Sequence, residues 1–147
     1  MAQTSTYLNF KNQTEAAFTF YKSVFGTEFL NGIMRLGDVP PQEGMPELRE
    51  DEKNLVMNVA LPILGGHVLM GTDVPDSMGL ELRPGNNFSI VVQPDTRDEA
   101  GRLFAELSEG GAVQSPLQDM FWGDYWGSLV DKFGIQWMVN CAGGGNS

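Results

Sequence analysis

Cysteine and histidine are nearly absent: the 147 residues hold one of each, Cys141 and His67. A single cysteine excludes an internal disulfide and every zinc motif built on cysteine pairs. Cys141 ends an apolar strand pattern and reads as a small buried hydrophobe. A single histidine cannot make a catalytic metal site without carboxylate partners, and His67 reads as a strand-start residue at the surface or at a cavity rim. Basic residues are also scarce, nine against nineteen acids, for a formal charge of −10. Phosphate binding needs clustered Lys and Arg, so a nucleic-acid or anionic-membrane surface is excluded, and the acidity serves solubility. No apolar run approaches the roughly eighteen residues of a membrane span. The first residues lack the basic-then-apolar pattern of a signal peptide, so the expected location is the cytoplasm.

What is present suits a single domain: at this length about 70% of the unfolded surface can be buried. Tyr7 to Phe10 predicts a strand. Asn12 stands three residues before Glu15, the spacing of a capping box. Ala16, Ala17, Phe20, Tyr21, Val24 and Phe25 then recur at helical spacing, until Gly26 ends the helix. Residues 28–36 predict a second strand. From Gly37 to Lys53 periodicity vanishes among prolines and six acids (Asp38, Glu43, Glu47, Glu50, Asp51, Glu52), a surface loop. Residues 54–62 and 67–71 predict strands joined at Leu64-Gly65-Gly66, followed by an irregular crossing to Asn86. The order then restarts: a strand over 87–93, a helix opened by Thr96 three residues before Glu99 with Ala100, Leu103, Phe104 and Leu107 on one face, a stop at Gly110-Gly111, and a brief strand over 112–114.

The chain closes on an aromatic ribbon, Phe121 to Asn140, holding Trp122, Trp126 and Trp137. Asp131-Lys132-Phe133-Gly134 predicts the turn between its two strands. Each half thus reads strand, helix, three strands, module one over about 1–75 and module two over about 86–142, with a flexible tail at 143–147. Two such α+β units, βαβββ each, can curl around a shared groove.

Several stretches resemble the PhnB-like branch of the vicinal oxygen chelate superfamily, which also holds glyoxalase I, bleomycin-resistance proteins and extradiol dioxygenases. They are Tyr7-Leu8-Asn9-Phe10, Glu15-Ala16-Ala17, Phe20 to Gly26, Val68-Leu69-Met70 with Asp73, Gly85 to Ser89, and Trp122-Gly123 with Asp131, Phe133-Gly134 and Trp137. The resemblance implies paired βαβββ modules around a groove and, commonly, a homodimer. It also implies a divalent metal acting as Lewis acid on substrate oxygens. Carried onto this chain, the metal positions fall at Thr6 or Tyr7, near Asn58 to Ala60, at Asn87 and at Met138. None offers His or a carboxylate, so no cofactor is expected. Relatives often bear the label of ubiquinone-pathway methyltransferase, but no Gly-rich nucleotide loop follows a strand here. No Gly-x-Ser-x-Gly elbow is present either.

If the Met138 position faces the groove, alternation brings Gln136 and Asn140 with it and sends Trp137 into the core. Asn58, Asn87, Trp122, Tyr125, Gln136 and Met138 are therefore the expected ligand-binding residues, suited to stacking and orienting a small planar or aromatic ligand. Asp124 and Asp131 read as a hydrogen-bonded loop residue and a turn residue. The functional expectation is a binding protein of the bleomycin-resistance type. The alternatives are a metal-dependent lyase, isomerase or dioxygenase with an atypical site, and a protein whose acidic loop engages a protein partner.

Overall fold

The computed structural model describes residues 2–40, 42–45 and 47–143. The expected tail therefore lies, except for Gly143, outside the described residues, as do Pro41 and Pro46 of the acidic loop. The chain divides into two compact units, Met1–Arg83 and Pro84–Ser147. The first contains β1 (Thr6–Phe10), α1 (Thr14–Phe25), β2 (Met34–Arg35), β3 (Val56–Pro62) and β4 (Val68–Asp73). The second contains β5 (Ile90–Val92), α2 (Arg97–Ser108), β6 (Ala112–Asp119), β7 (Tyr125–Val130) and β8 (Gln136–Cys141). Their sheets have the same order, β1-β4-β3-β2 and β5-β8-β7-β6. In each, the first strand runs parallel to the last and the other pairings are antiparallel. The two βαβββ modules expected from the sequence are both present. No helix among the described residues is long and apolar enough to cross a membrane.

In the first unit, α1 buries Ala17, Phe18, Tyr21 and Val24 against a sheet face bearing Leu8, Phe10, Val59, Leu61 and Leu69. Phe18 and Tyr21 meet edge-to-face, centroids 5.6 Å apart, a geometry worth about 0.5–1.5 kcal/mol beyond the area buried. The buried stripe differs from the one expected: Ala16 is exposed and Phe20 and Phe25 are only partly covered, while Phe18 is fully buried. Gly26 ends the helix at φ 66°, a left-handed conformation that suits a residue without Cβ.

The capping box at Asn12 and Glu15 does not form. Asn12 lies at φ 62°, and the helix begins at Thr14 with no cap from its preceding side chain. The Thr14 amide instead donates to Asp73 Oδ1 at 3.1 Å and the Thr14 hydroxyl donates to the same oxygen at 2.7 Å. Val56 N donates to Asp73 Oδ2 at 2.9 Å. Glu15 pairs with Arg35 across 2.9 Å.

Other boundaries shift for identifiable reasons. The second strand shrinks from 28–36 to Met34–Arg35, because Asn31 and Gly32 sit at φ 62° and 70° and cannot continue a pleat. β4 runs two residues further than expected, to Asp73. The first strand of module two contracts from 87–93 to Ile90–Val92. β6 lengthens from three residues to Ala112–Asp119 despite Pro116, since it is the sheet's edge and one side needs no donor. Within the acidic loop Glu52 is buried, not solvated: its carboxylate accepts from Arg49 N at 3.2 Å and Ser77 N at 3.1 Å. Hydrogen bonding from Ser77 foremost holds this carboxyl below its ordinary range, against the opposing effect of burial.

In the second unit Thr96 caps α2 as expected, accepting from Glu99 N at 3.1 Å. Ala100, Leu103, Phe104 and Leu107 are buried with Leu129, Trp137, Val139 and Cys141.

At Gly71 the helix of the first unit packs tightly on the sheet. A Cβ there would stand 2.8 Å from Phe18 Cζ and 3.1 Å from Thr14 Cγ2. Gly71→Val is expected to cost roughly 2–3 kcal/mol, the usual penalty of overpacking a filled core. A urea denaturation midpoint indistinguishable from that of the parent would show that the ring moves aside freely.

Candidate functional site on the second sheet

The β7–β8 hairpin turns where the sequence places it. Gly134 N donates to Asp131 O at 3.0 Å and Asp131 N to Ile135 O at 2.8 Å. The buried Asp131 side chain fixes the turn further: Oδ1 accepts from Phe133 N at 2.8 Å and Ile135 N at 3.0 Å, and Oδ2 accepts from Trp137 Nε1 at 2.9 Å. Register then follows by counting outward: Val130 pairs with Gln136, Ser128 with Met138 and Trp126 with Asn140. Cross-strand partners share a face, so Gln136, Met138, Asn140, Ser128 and Trp126 share one, opposite that of Trp137, Val139 and Cys141. The alternation expected along β8 is the alternation observed.

Both amides on this face are oriented by the protein. Gln136 Nε2 donates to Phe88 O at 3.1 Å, and Asn140 Nδ2 donates to Asp124 Oδ2 at 3.1 Å. Asp124 Oδ1 accepts from Gly143 N at 3.0 Å. The Gly143 amide first, then Asn140 and Trp122, hold the Asp124 carboxyl below the ordinary Asp value, against the opposing effect of burial. The charge is thus retained at neutral pH, and it is lost only as pH falls through that lowered value.

The expected ligand residues scatter. Gln136 and Met138 stand side by side on this face of β8, each partly covered. Trp122 lies on the hairpin tip between β6 and β7, where Met120 N donates to Asp124 O at 2.8 Å. It is half-exposed, 4.9 Å from the Phe121 ring and 6.4 Å from the Trp126 ring. The segment read as the start of a strand is therefore a tip. Tyr125 pairs with Cys141 and so stands on the other face. The Arg97 guanidinium lies 3.9 Å from its ring centroid and is paired with Asp119 at 2.6 Å. Asn87 is exposed and precedes β5. Asn58 belongs to the first unit, on β3 opposite Met34, with its Oδ1 buried and lacking a hydrogen-bond partner among the described residues.

The expected ligand set left out Trp126, although counting back from the Asp131–Gly134 turn pairs it with Asn140. Asp124 is the hydrogen-bonded loop residue expected, with partners, Asn140 and Gly143, that are met only through the fold.

The sequence profile described as 3-demethylubiquinone-9 3-methyltransferase matches residues 2–140. The chain belongs to this family. Protein YjdN of Escherichia coli is 26% identical over 141 residues, 92% of each chain. The crystal structure of PA1353 from Pseudomonas aeruginosa superposes at a TM-score of 0.83 with 32% identity, covering 97% of this chain and 98% of that one. A PhnB protein from Bacillus cereus, described as a putative 3-demethylubiquinone-9 3-methyltransferase, matches at 0.72 with 26% identity over 96% of this chain and 100% of that one. A glyoxalase/bleomycin resistance protein/dioxygenase family enzyme from Burkholderia phytofirmans shares the fold at 0.61, covering 93% and 97% with 15% identity. The recognised superfamily and the fold class are therefore those read from the sequence.

The superfamily's divalent ion can be tested against the residues present. Tyr7 and Asn58 lie in the first unit, Asn87 lies off the strand and Met138 offers a soft thioether. Two neutral amides, the hydroxyl of Thr6 or Tyr7 and a thioether do not fit a catalytic divalent ion, which takes imidazole or carboxylate donors. Among the described residues no three of His, Cys, Asp and Glu are placed to share an ion. His67 is engaged, with Nε2 2.9 Å from Thr6 Oγ1.

Proposed function

We propose that the protein binds a small planar or aromatic molecule on the Trp126–Asn140 face of the second sheet, without metal-dependent turnover. The observation that carries this is the pairing of Trp126 with Asn140 beside Met138. It supplies a flat apolar surface and fixed polar groups, but no acid, base or nucleophile in reach of one another. Methyl transfer has little support from the fold of this chain: Gly110-Gly111 closes α2 where a nucleotide loop would open a helix.

Two measurements test the reading. Titration with planar ligands is expected to quench tryptophan fluorescence, with Trp126→Leu removing most of the change. Elemental analysis after dialysis is expected to find no stoichiometric Ni, Zn, Mn or Fe; an ion held one per chain would favour a metal-dependent lyase, isomerase or dioxygenase instead. We propose further that the protein works as a homodimer, so sedimentation equilibrium should give twice the 16.1 kDa chain mass.

A further inference from the structure

Two of the oriented amides leave the same kind of atom outward. Gln136 Nε2 faces a backbone carbonyl, Phe88 O, at 3.1 Å. A carbonyl can only accept, so the amide cannot be reversed, and the group it turns away from Phe88 is its own oxygen. Asn140 Nδ2 faces the Asp124 carboxylate at 3.1 Å, which likewise can only accept. The Asn140 oxygen is thus the end of the amide turned from the carboxylate, whose charge lies against the nitrogen end. Neither oxygen has a hydrogen-bond partner among the described residues.

Aromatic faces adjoin the Asn140 end. Trp126 is its cross-strand partner, Trp122 lies 6.4 Å from Trp126, and Phe121 is 97% exposed beyond it. Among the described residues that register places on this face, none is Lys or Arg. Arg97 is held on the opposite face between Tyr125 and Asp119. The chain as a whole carries −10.

We infer that this face selects organic cations: planar molecules bearing an ammonium, amidinium or protonated ring nitrogen. The inference rests on the ligand-binding reading above and narrows it. A cation gains from the indole faces, from the outward carbonyl oxygens as acceptors and from Asp124 behind Asn140. A carboxylate or phosphate meets the same oxygens with no positive charge in return, and a neutral ring gains only the stacking.

Three ligands of one shape separate these cases: aminoacridine, cationic at neutral pH, acridine, neutral there, and acridine carboxylate. Titrated at low salt, the cation is expected to bind at least tenfold more tightly than the neutral ring, and the anion more weakly than both. Asp124→Asn should lose about tenfold for the cation and little for acridine. Met138→Lys, which places a charge on this face, opposite the one that packs on α2, should reverse the order and favour the carboxylate. Thermal melts of both variants establish that they are folded. Equal binding of all three ligands, unchanged by Met138→Lys, overturns the charge selection and leaves the ligand-binding reading standing. No binding of any of them overturns both. Cation quenching that falls away as the protein self-associates assigns the face to a second copy of the chain, and overturns the inference as well.

Discussion

Asp131→Ala is expected to remove roughly 3 kcal/mol of folding stability, the cost of stranding several donors at once. The thermal midpoint should fall by roughly 10 °C. The carboxylate is 3% exposed, and it serves Phe133 N and Ile135 N in the turn as well as the indole N–H of fully buried Trp137. Water reaches the partly covered turn amides more easily than the indole, so the Trp137 bond carries much of the loss. Asp131→Asn keeps an oxygen for the turn amides but brings an N–H toward Trp137, and an intermediate loss is expected. If Asp131→Ala unfolds within about 0.5 kcal/mol of the parent, the range of an ordinary surface substitution, the turn is held by backbone bonds alone. The consequence for the site is direct, because this turn sets the register that puts Trp126 beside Asn140.

Asp73→Ala should be comparably severe, about 3 kcal/mol by the same reasoning. Asp73 sits at the end of β4 and joins the start of α1 to the start of β3, accepting from Thr14 N, Thr14 Oγ1 and Val56 N. Its side chain and Thr14 are both buried, so water cannot replace it. Asn12→Gly provides the contrast. The box expected from spacing makes Asn12 the helix cap, and its loss would then be costly. The observed φ of 62° with no cap bond predicts a neutral or slightly favourable change, because glycine takes the left-handed conformation without penalty. Urea midpoints of the two variants decide between these; a destabilised Asn12→Gly beside an unaffected Asp73→Ala would restore the local cap.

The two helix starts show what spacing can and cannot reveal. At Thr96 the acceptor three residues ahead of Glu99 is the one used. At Asn12 the same spacing is present but no box forms, and the Thr14 amide goes to a carboxylate 59 residues further along the chain. A capping box reports that a local acceptor exists; it does not report a stronger, charged competitor brought in by the sheet. Glu52 makes the same point within the acidic loop, where composition suggests solvation but the Ser77 amide, 25 residues away, joins the neighbouring Arg49 amide in binding a buried side chain.

By itself the sequence determined the repeated order of elements, the turn at Asp131 to Gly134 and the alternation of β8. These rest on contacts within a few residues and on strand geometry that repeats every second residue. Only the tertiary structure decided that Tyr125 lies under Arg97. The same holds for Asn87 falling outside its strand, and for Asp73 and Asp124 finding partners 59 and 19 residues away. The reason is physical: a polar group buried on folding takes the best partner that the whole chain brings within reach, and which one that is depends on how the sheets pair.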